Sequence, residues 1–362
     1  MPVREESFRI GCGRYIQGAG YVERIGDEVL RLGNSPLVVG GKTALSLTNK
    51  KIEKSINEKC NKYEFITHQG TCNEERATEI AEYAKENGFD VIVGVGGGVI
   101  CDFSKLCGYF AELPVINVPT SSATCAAYTP LSVRYTPEGR TLTTLHYEYE
   151  VDGVIADTEV ISTQPARLLL AGVFDSMAKL LEIKQRYNED DEEFSLGLDY
   201  AYSMSERSYK FLTDKTMKCL EDLKKGEISD DFEKVIFTCI GATGAISGIA
   251  RGSNQTALAH KFYDSTRALF PAEAKPYLHG EIVGVGLLLQ NHFNGDVANN
   301  KALLEMMKTY NMPSSVTEIG IEKTEENFNK LYEKICNTSA IDKNNSAECE
   351  KFRKSLEYLW EL

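Results

Sequence analysis

With 362 residues the chain is too long for one ordinary hydrophobic core, so two domains of roughly 150–200 residues each are expected. Hydrophobic residues make up 42% and charged residues 26%, the balance of a soluble globular protein. A net charge of -13 argues against nucleic acid or an anionic membrane surface as the partner, and leaves room for a small anionic ligand at a locally basic site.

The first 160 residues alternate β-rich runs with helical stretches. SPLVVGG (35–41) reads as a buried strand ending in a glycine turn, followed by a helix over 43–59. YEFITH (63–68) is a second strand, with a helix over 74–87 behind it. DVIVGVGGG (90–98) is an apolar strand running into glycines, 100–111 is helical, and PVINVPT (114–120) is a further strand. Apolar strands separated by helices predict a parallel sheet covered on both faces. The run 131–157 differs: a Pro-Glu-Gly turn between β-prone segments suggests a hairpin, and GVIADT (153–158) closes the region as another strand. Beyond 162–165 the pattern is nearly all helical, so the boundary is set there: an α/β domain over 1–162 and an all-α domain over 163–362. The run NEDDEE (188–193) reads as a solvated acidic segment. No stretch approaches the roughly 20 apolar residues of a membrane span, and the start MPVREESFRIGCG lacks an apolar signal core. The ten cysteines are scattered with no C-x-x-C pair, as expected of reduced thiols in a cytoplasmic protein.

Two features carry chemistry. Gly94-Val95-Gly96-Gly97-Gly98 closes a strand and opens a helix, where glycine lets backbone approach a pyrophosphate and the helix offers unpaired N–H groups. The same turn could serve close packing alone. Asp102, in the first turn of that helix, either complements the helix dipole or contacts the ligand. The second feature is a carboxylate with two histidines. Asp175 interrupts an apolar helical stretch, where an unpaired carboxylate is costly. His260 lies in a helical stretch, and His279 lies where another helix begins; Pro271 and Pro276 between them imply two helices joined by a loop. One Asp and two His from three helices would make a three-ligand site with an open position, suited to catalytic zinc or non-haem iron(II). His68 and His146 read as core or surface residues.

Taken together, GVGGGVICDFSKL (94–106), PVINVPTSSATCAAYTPLSVRYTPEG (114–139), ADTEVI (156–161), LLAGVFDSMAKLLE (169–182) and YLHGEIVGVG (277–286) resemble the iron-containing alcohol dehydrogenase superfamily, in its glycerol dehydrogenase-like and hydroxycarboxylate dehydrogenase-like branch. The resemblance runs over nearly the whole chain. It implies a Rossmann-like parallel-sheet domain for the nicotinamide cofactor and a helical domain for metal and substrate, with one divalent metal, zinc or iron(II), on Asp175, His260 and His279. It places the cofactor pyrophosphate on the glycine turn, Thr120 and Ser121 along the cofactor, and Thr129, Leu131 and Tyr135 further on. The implied chemistry is hydride transfer between the nicotinamide and the carbinol carbon of a small alcohol, with the metal as Lewis acid; no histidine or lysine stands out as general base. A homo-oligomer is implied as well.

The chain departs from that pattern at three places. Cys125 stands where glycerol dehydrogenases carry a polyol-holding aspartate; the string TCAAYTPLSV resembles instead the members that reduce 2-oxo acids, and Cys125 is read as a small apolar wall of the substrate pocket rather than a reactive thiol. After the strand at 36–40 the sequence is Gly40-Gly41-Lys42-Thr43, with no carboxylate to repel a 2′-phosphate. Lys42 would attract that phosphate, so NADP is favoured over NAD, unless Lys42 is only a solvated helix-start residue. Tyr263 and Asp264 occupy the region where glycerol-type relatives have a second histidine. The alternatives are a glycerol dehydrogenase proper, a glycerol-1-phosphate dehydrogenase, a non-redox lyase of the dehydroquinate synthase kind, and a cofactor-binding module without catalysis. The lyase is disfavoured by an Asp where it would carry Glu. The non-catalytic module is disfavoured by an intact ligand set.

Overall fold

The computed structural model describes residues 10–136, 141–186, 196–250 and 255–362. The acidic run 188–193 and the Pro-Glu-Gly turn at 137–139 lie outside them. In chain order the α/β region comprises β1 (Tyr15–Gly18), α1 (Ile25–Val29), β2 (Pro36–Gly40), α2 (Lys42–Asn57), β3 (Glu64–Thr67), α3 (Glu74–Glu86), β4 (Val91–Gly96), α4 (Gly98–Ala111), β5 (Val115–Pro119), β6 (Leu131–Tyr135), β7 (Thr141–His146), β8 (Gly153–Asp157) and α5 (Thr158–Ile161). Then follow α6 (Ala166–Arg186), α7 (Leu196–Lys225), α8 (Asp230–Phe237), α9 (Thr243–Ile249), α10 (Leu258–Leu269), α11 (Pro271–Ala274), α12 (His279–Asn294), α13 (Asn300–Thr309), α14 (Glu325–Cys336) and α15 (Ser346–Glu361). Two compact units form: Ile10–Pro165 with Lys218–Gly248, and Ala166–Met217 with Ile249–Leu362.

The first unit is built on a six-stranded parallel sheet of order β1-β8-β5-β4-β2-β3. Alternation along the strands divides its core in two. Val38, Val93, Val95, Ile116 and Ile155 pack with Leu45, Ile52 and Ile56 of α2, whereas Leu37, Val39 and Ile92 pack with Ile80 of α3 and Phe103 and Leu106 of α4. Helices α2 and α4, which follow the neighbouring strands β2 and β4, therefore lie on opposite faces. That divergence opens a crevice beyond the carboxyl ends of β2 and β4, the place where open α/β sheets bind ligands. Strand β1 has no apolar run, only the half-buried Tyr15-Ile16-Gln17-Gly18, so its place at the sheet edge beside β8 carried little signal in the sequence. The hairpin is present as antiparallel β6 and β7, with an irregularity between Arg134 and Tyr135.

One helical run, Asp230–Ile249, is by composition long and apolar enough to cross a membrane, which corrects the sequence-based expectation. It is a core helix of this unit instead: most of its apolar stretch is buried, and it contains a π-turn at Thr238–Ala242. Its start is fastened by Glu233, whose Oε2 accepts from Gln17 Nε2 at 2.7 Å and whose Oε1 accepts from Thr158 Oγ1 at 2.6 Å.

The second unit is helical among its described residues. Helix α6 is buried from Leu169 to Ile183 and α12 from Gly280 to Asn291, as befits helices apolar nearly all round. They pack on each other and on α10, with α14 and α15 outside them. Gly280 permits the α6–α12 contact, because a Cβ there would stand 1.9 Å from the Ala171 carbonyl oxygen.

Candidate active site

In the α/β unit the glycine turn lies at the mouth of the crevice. Strand β4 carries Gly94, Val95 and Gly96; Gly97 caps α4 in an extended conformation with no side-chain hydrogen bond, and Gly98 is the first helical residue. The glycines serve different ends. A Cβ on Gly94 would lie 2.1 Å from Ser104 Oγ, so Gly94 is demanded by the packing of α4 on the sheet. A Cβ on Gly97 would meet only Ser121 Oγ, at 3.5 Å. Packing leaves Gly97 open, which is what an approaching phosphate needs.

The segment after β5 lies against this turn. Thr120 N–H donates to the Gly96 carbonyl at 3.0 Å, and Ser121 and Thr124 line Gly97 and Gly98. Sequence reasoning missed the residue that holds this segment. Lys105, buried on α4, donates from Nζ to the carbonyls of Ala126 at 2.7 Å, Thr129 at 2.9 Å and Leu131. It also pairs with Asp102 Oδ1 at 2.8 Å, while Asp102 Oδ2 accepts from Val133 N–H at 3.1 Å. Burial pushes the Asp102 carboxyl up, against the pull of Lys105. Both Asp102 oxygens are thus engaged inside the unit. Thr129 is buried and Leu131 half-buried beside Lys105, and Tyr135 is tied further along β6 through its N–H to the Cys72 carbonyl at 2.8 Å. Cys125 is half-buried in the same segment, its carbonyl accepting from Tyr128 and Thr129 N–H at 2.9 and 3.2 Å. Lys42, exposed at the first turn of α2, stands at the end of β2, whose Gly40 is in register with Val95 of β4. His68 is buried and stacked on Phe103 with ring centroids 3.7 Å apart, and His146 is exposed at the end of β7.

In the helical unit Asp175 from α6, His260 from α10 and His279 from the first turn of α12 converge. One donor atom from each lies within 4.8 Å of the others. Asp175 Oδ1 is 3.3 Å from His260 Nε2 and 3.5 Å from His279 Nε2. Tetrahedral ligands about 2.0–2.2 Å from one zinc ion stand roughly 3.4 Å apart, so the spacing and the O, N, N donor set fit such an ion. Each ligand is braced. Asp175 is 4% exposed; burial alone would raise its carboxyl, but hydrogen bonds from the two imidazoles and the charge of Lys179 hold it well below the usual carboxylate range. Glu182, buried two turns further along α6, accepts from His260 Nδ1 at 2.5 Å. Burial would lower the His260 imidazole, yet Glu182 and Asp175 raise it to about 9. The start of α12 is pinned by Glu281, which accepts from Leu278 N–H at 2.7 Å and from Arg167 Nε and Nη2 at 2.5 Å each. Tyr263 meets the His279 ring edge-on, 4.2 Å between centroids, so the residue in the second-histidine region contacts a member of this cluster.

Comparison with known proteins agrees with this architecture. The sequence profile of the iron-containing alcohol dehydrogenase family matches residues 12–158. The chain is 28% identical over 342 residues to a glycerol dehydrogenase of Thermotoga maritima, covering 90% of this chain and 88% of that protein. It is likewise 28% identical over 290 residues to hydroxycarboxylate dehydrogenase A of Escherichia coli, covering 78% of this chain and 76% of that one. The crystal structure of glycerol dehydrogenase from Schizosaccharomyces pombe superposes with a TM-score of 0.84 over 99% of this chain and 91% of that chain, at 20% identity, a likeness of fold. Over residues 12–158 the chain matches the iron-containing alcohol dehydrogenase family, and over most of its length it is similar to glycerol dehydrogenases and to a hydroxycarboxylate dehydrogenase.

Proposed function

We propose that this protein is a metal-dependent, NAD(P)-linked dehydrogenase that interconverts a small alcohol, a polyol or a 2-hydroxy acid, with its ketone or aldehyde. The observation that carries the reading is the convergence of Asp175, His260 and His279 within 4.8 Å on three separate helices. Three protein donors are the number that leaves a coordination position for substrate. When bound, the metal supplies Lewis acidity toward the substrate oxygen and the nicotinamide exchanges hydride. The chain does the rest. The α/β unit, Ile10–Pro165 with Lys218–Gly248, binds the cofactor, and the helical unit, Ala166–Met217 with Ile249–Leu362, binds metal and substrate, so the boundary expected at 162/163 leaves out the segment 218–248. Gly97 and the N–H groups that open α4 receive the pyrophosphate, and Thr120 and Ser121 line the cofactor, with Thr129, Leu131 and Tyr135 beyond them. Cys125 forms an apolar wall of the substrate pocket, which favours a 2-hydroxy acid over glycerol. The exposed Lys42, with no carboxylate in Gly40-Gly41 beside it, supports NADP. Buried Cys72, Cys101 and Cys107, whose thiols burial pushes up, suit a reducing, cytoplasmic setting. We also take the enzyme to be a homo-oligomer, which its mass in solution tests.

The test is cofactor oxidation, followed by absorbance, with a 2-oxo acid and with dihydroxyacetone, each with NADPH and NADH, on protein stripped of metal and reloaded with zinc or iron(II). Turnover of the 2-oxo acid, fastest with NADPH, is expected, restored by metal and abolished in His279→Ala. Lys42→Ala should raise KM for NADPH about tenfold, the loss of roughly 1.4 kcal/mol that one charge-assisted phosphate contact is worth, and leave NADH unchanged. Turnover of dihydroxyacetone with NADH would make it a glycerol dehydrogenase proper, and no oxidation under any metal would return the lyase reading.

A further inference from the structure

We infer that Glu182 is the positioning residue of the ligand set, fixing which nitrogen of His260 faces the metal; the inference rests on the metal-site reading above. Asp175 and Glu182 are seven residues apart on α6, which returns them to one face two turns along. Asp175 reaches His260 at Nε2, and Glu182 reaches the same ring at Nδ1, 2.5 Å away. A carboxylate can only accept, so Glu182 holds a proton on Nδ1; Nε2, which faces Asp175, is then the nitrogen that would give up its proton to coordinate a metal. The other Glu182 oxygen accepts from two backbone N–H groups, Ala257 at 2.7 Å and His260 at 2.8 Å. Ala257 is the N-cap of α10 and has no side-chain acceptor of its own, so α6 supplies the cap that α10 lacks. With all three hydrogen bonds made and the side chain fully buried, Glu182 has no second arrangement to adopt. One rigid helix thus provides both a ligand and the strut for a second ligand, and sets the distance between them.

The isosteric change Glu182→Gln separates this role from simple packing. Glutamine fills the same volume but presents one oxygen and one NH2 group. Either the NH2 faces His260 Nδ1 and drives the ring proton onto Nε2, or it faces two backbone donors and loses the cap. The first spoils the nitrogen that should coordinate, and the second keeps the Nδ1 proton but leaves the start of α10, which carries His260, without its acceptor. The experiment is titration of the metal-free, full-length protein with cobalt(II), read by its visible absorption bands, in wild type, Glu182→Gln and Glu182→Asp, with far-ultraviolet circular dichroism to compare the folds. Loss of such a hydrogen bond to a ligating histidine is expected to weaken cobalt(II) binding about 10- to 100-fold and to change the bands, while the dichroism stays that of the wild type. Glu182→Asp, which keeps the charge but withdraws it by one methylene, should fall between, and carries the test if the glutamine variant does not fold. Wild-type affinity and bands in a folded variant overturn the role of Glu182. Failure of the wild type itself to bind cobalt(II) overturns the metal reading instead.

Discussion

Single side chains settle more here than their sequence neighbours suggest. Lys105 follows Asp102 by one helical turn; both are buried, and the ammonium gathers three carbonyls of the segment carrying Cys125 and Thr129. Breaking such a pair from one side leaves an uncompensated charge inside, which typically costs 3–5 kcal/mol. Lys105→Met is therefore expected to lower the unfolding free energy by about 3–5 kcal/mol, measured by urea denaturation, and to weaken cofactor binding through the loosened segment. A loss below roughly 1 kcal/mol, the scale of an exposed pair, would contradict the buried geometry. Asp102 illustrates the same point from the other side. Read alone, it could serve the helix dipole or a ligand; in the fold its oxygens meet Lys105 and the Val133 N–H.

At the scale of elements, the junction of β4 and α4 combines two demands that one glycine string conceals. Gly94 lies within the strand where α4 packs on it, and Gly97 lies at the open helix start. The two should respond oppositely to the same change. Gly94→Ala forces a Cβ to 2.1 Å from Ser104 Oγ. It is expected to cost about 1–3 kcal/mol of stability through overpacking, seen as a lower melting temperature. Gly97→Ala meets nothing nearer than 3.5 Å. It should melt within a degree or two of the wild type yet bind NADPH at least about tenfold more weakly by fluorescence titration, since one misplaced methyl against a pyrophosphate outweighs 1.4 kcal/mol. Equal affinity for both would remove the glycine turn from the cofactor site. The helical elements show a parallel economy: α6 alone carries Asp175, Glu182 and the Arg167 that pins Glu281 at the start of α12.

For the whole molecule, the ligand set ties metal binding to stability. Asp175, Glu182 and His260 sit in the middle of the helical unit, where α6, α10 and α12 meet, and a ligand that binds only the folded chain stabilises it by mass action. Zinc at 100 times its dissociation constant should add about 2.7 kcal/mol and raise the melting temperature by several degrees. Asp175→Ala should abolish that increment. An unchanged melting curve on adding zinc or iron(II) to the wild type would place no metal in this cluster.

The sequence by itself determined what short-range pattern can determine. Apolar runs of strand length, glycines at their ends and helical periodicity after residue 165 specified a parallel sheet followed by helices, because side-chain periods of 2 and 3.6 are properties of adjacent residues. An aspartate inside the apolar stretch 169–182 and two of only five histidines were conspicuous by residue type alone, and the structure brings those three together. The tertiary structure alone decided the rest. That Glu182 caps a helix 75 residues away, that Lys105 holds the segment after β5, that β1 joins β8 across the length of the domain, and that Lys218–Gly248 packs with the α/β unit all depend on contacts between residues distant in the chain. A buried glutamate and a solvated one look alike in sequence; only the closing of α10 onto α6 removes the water and leaves His260 as its partner.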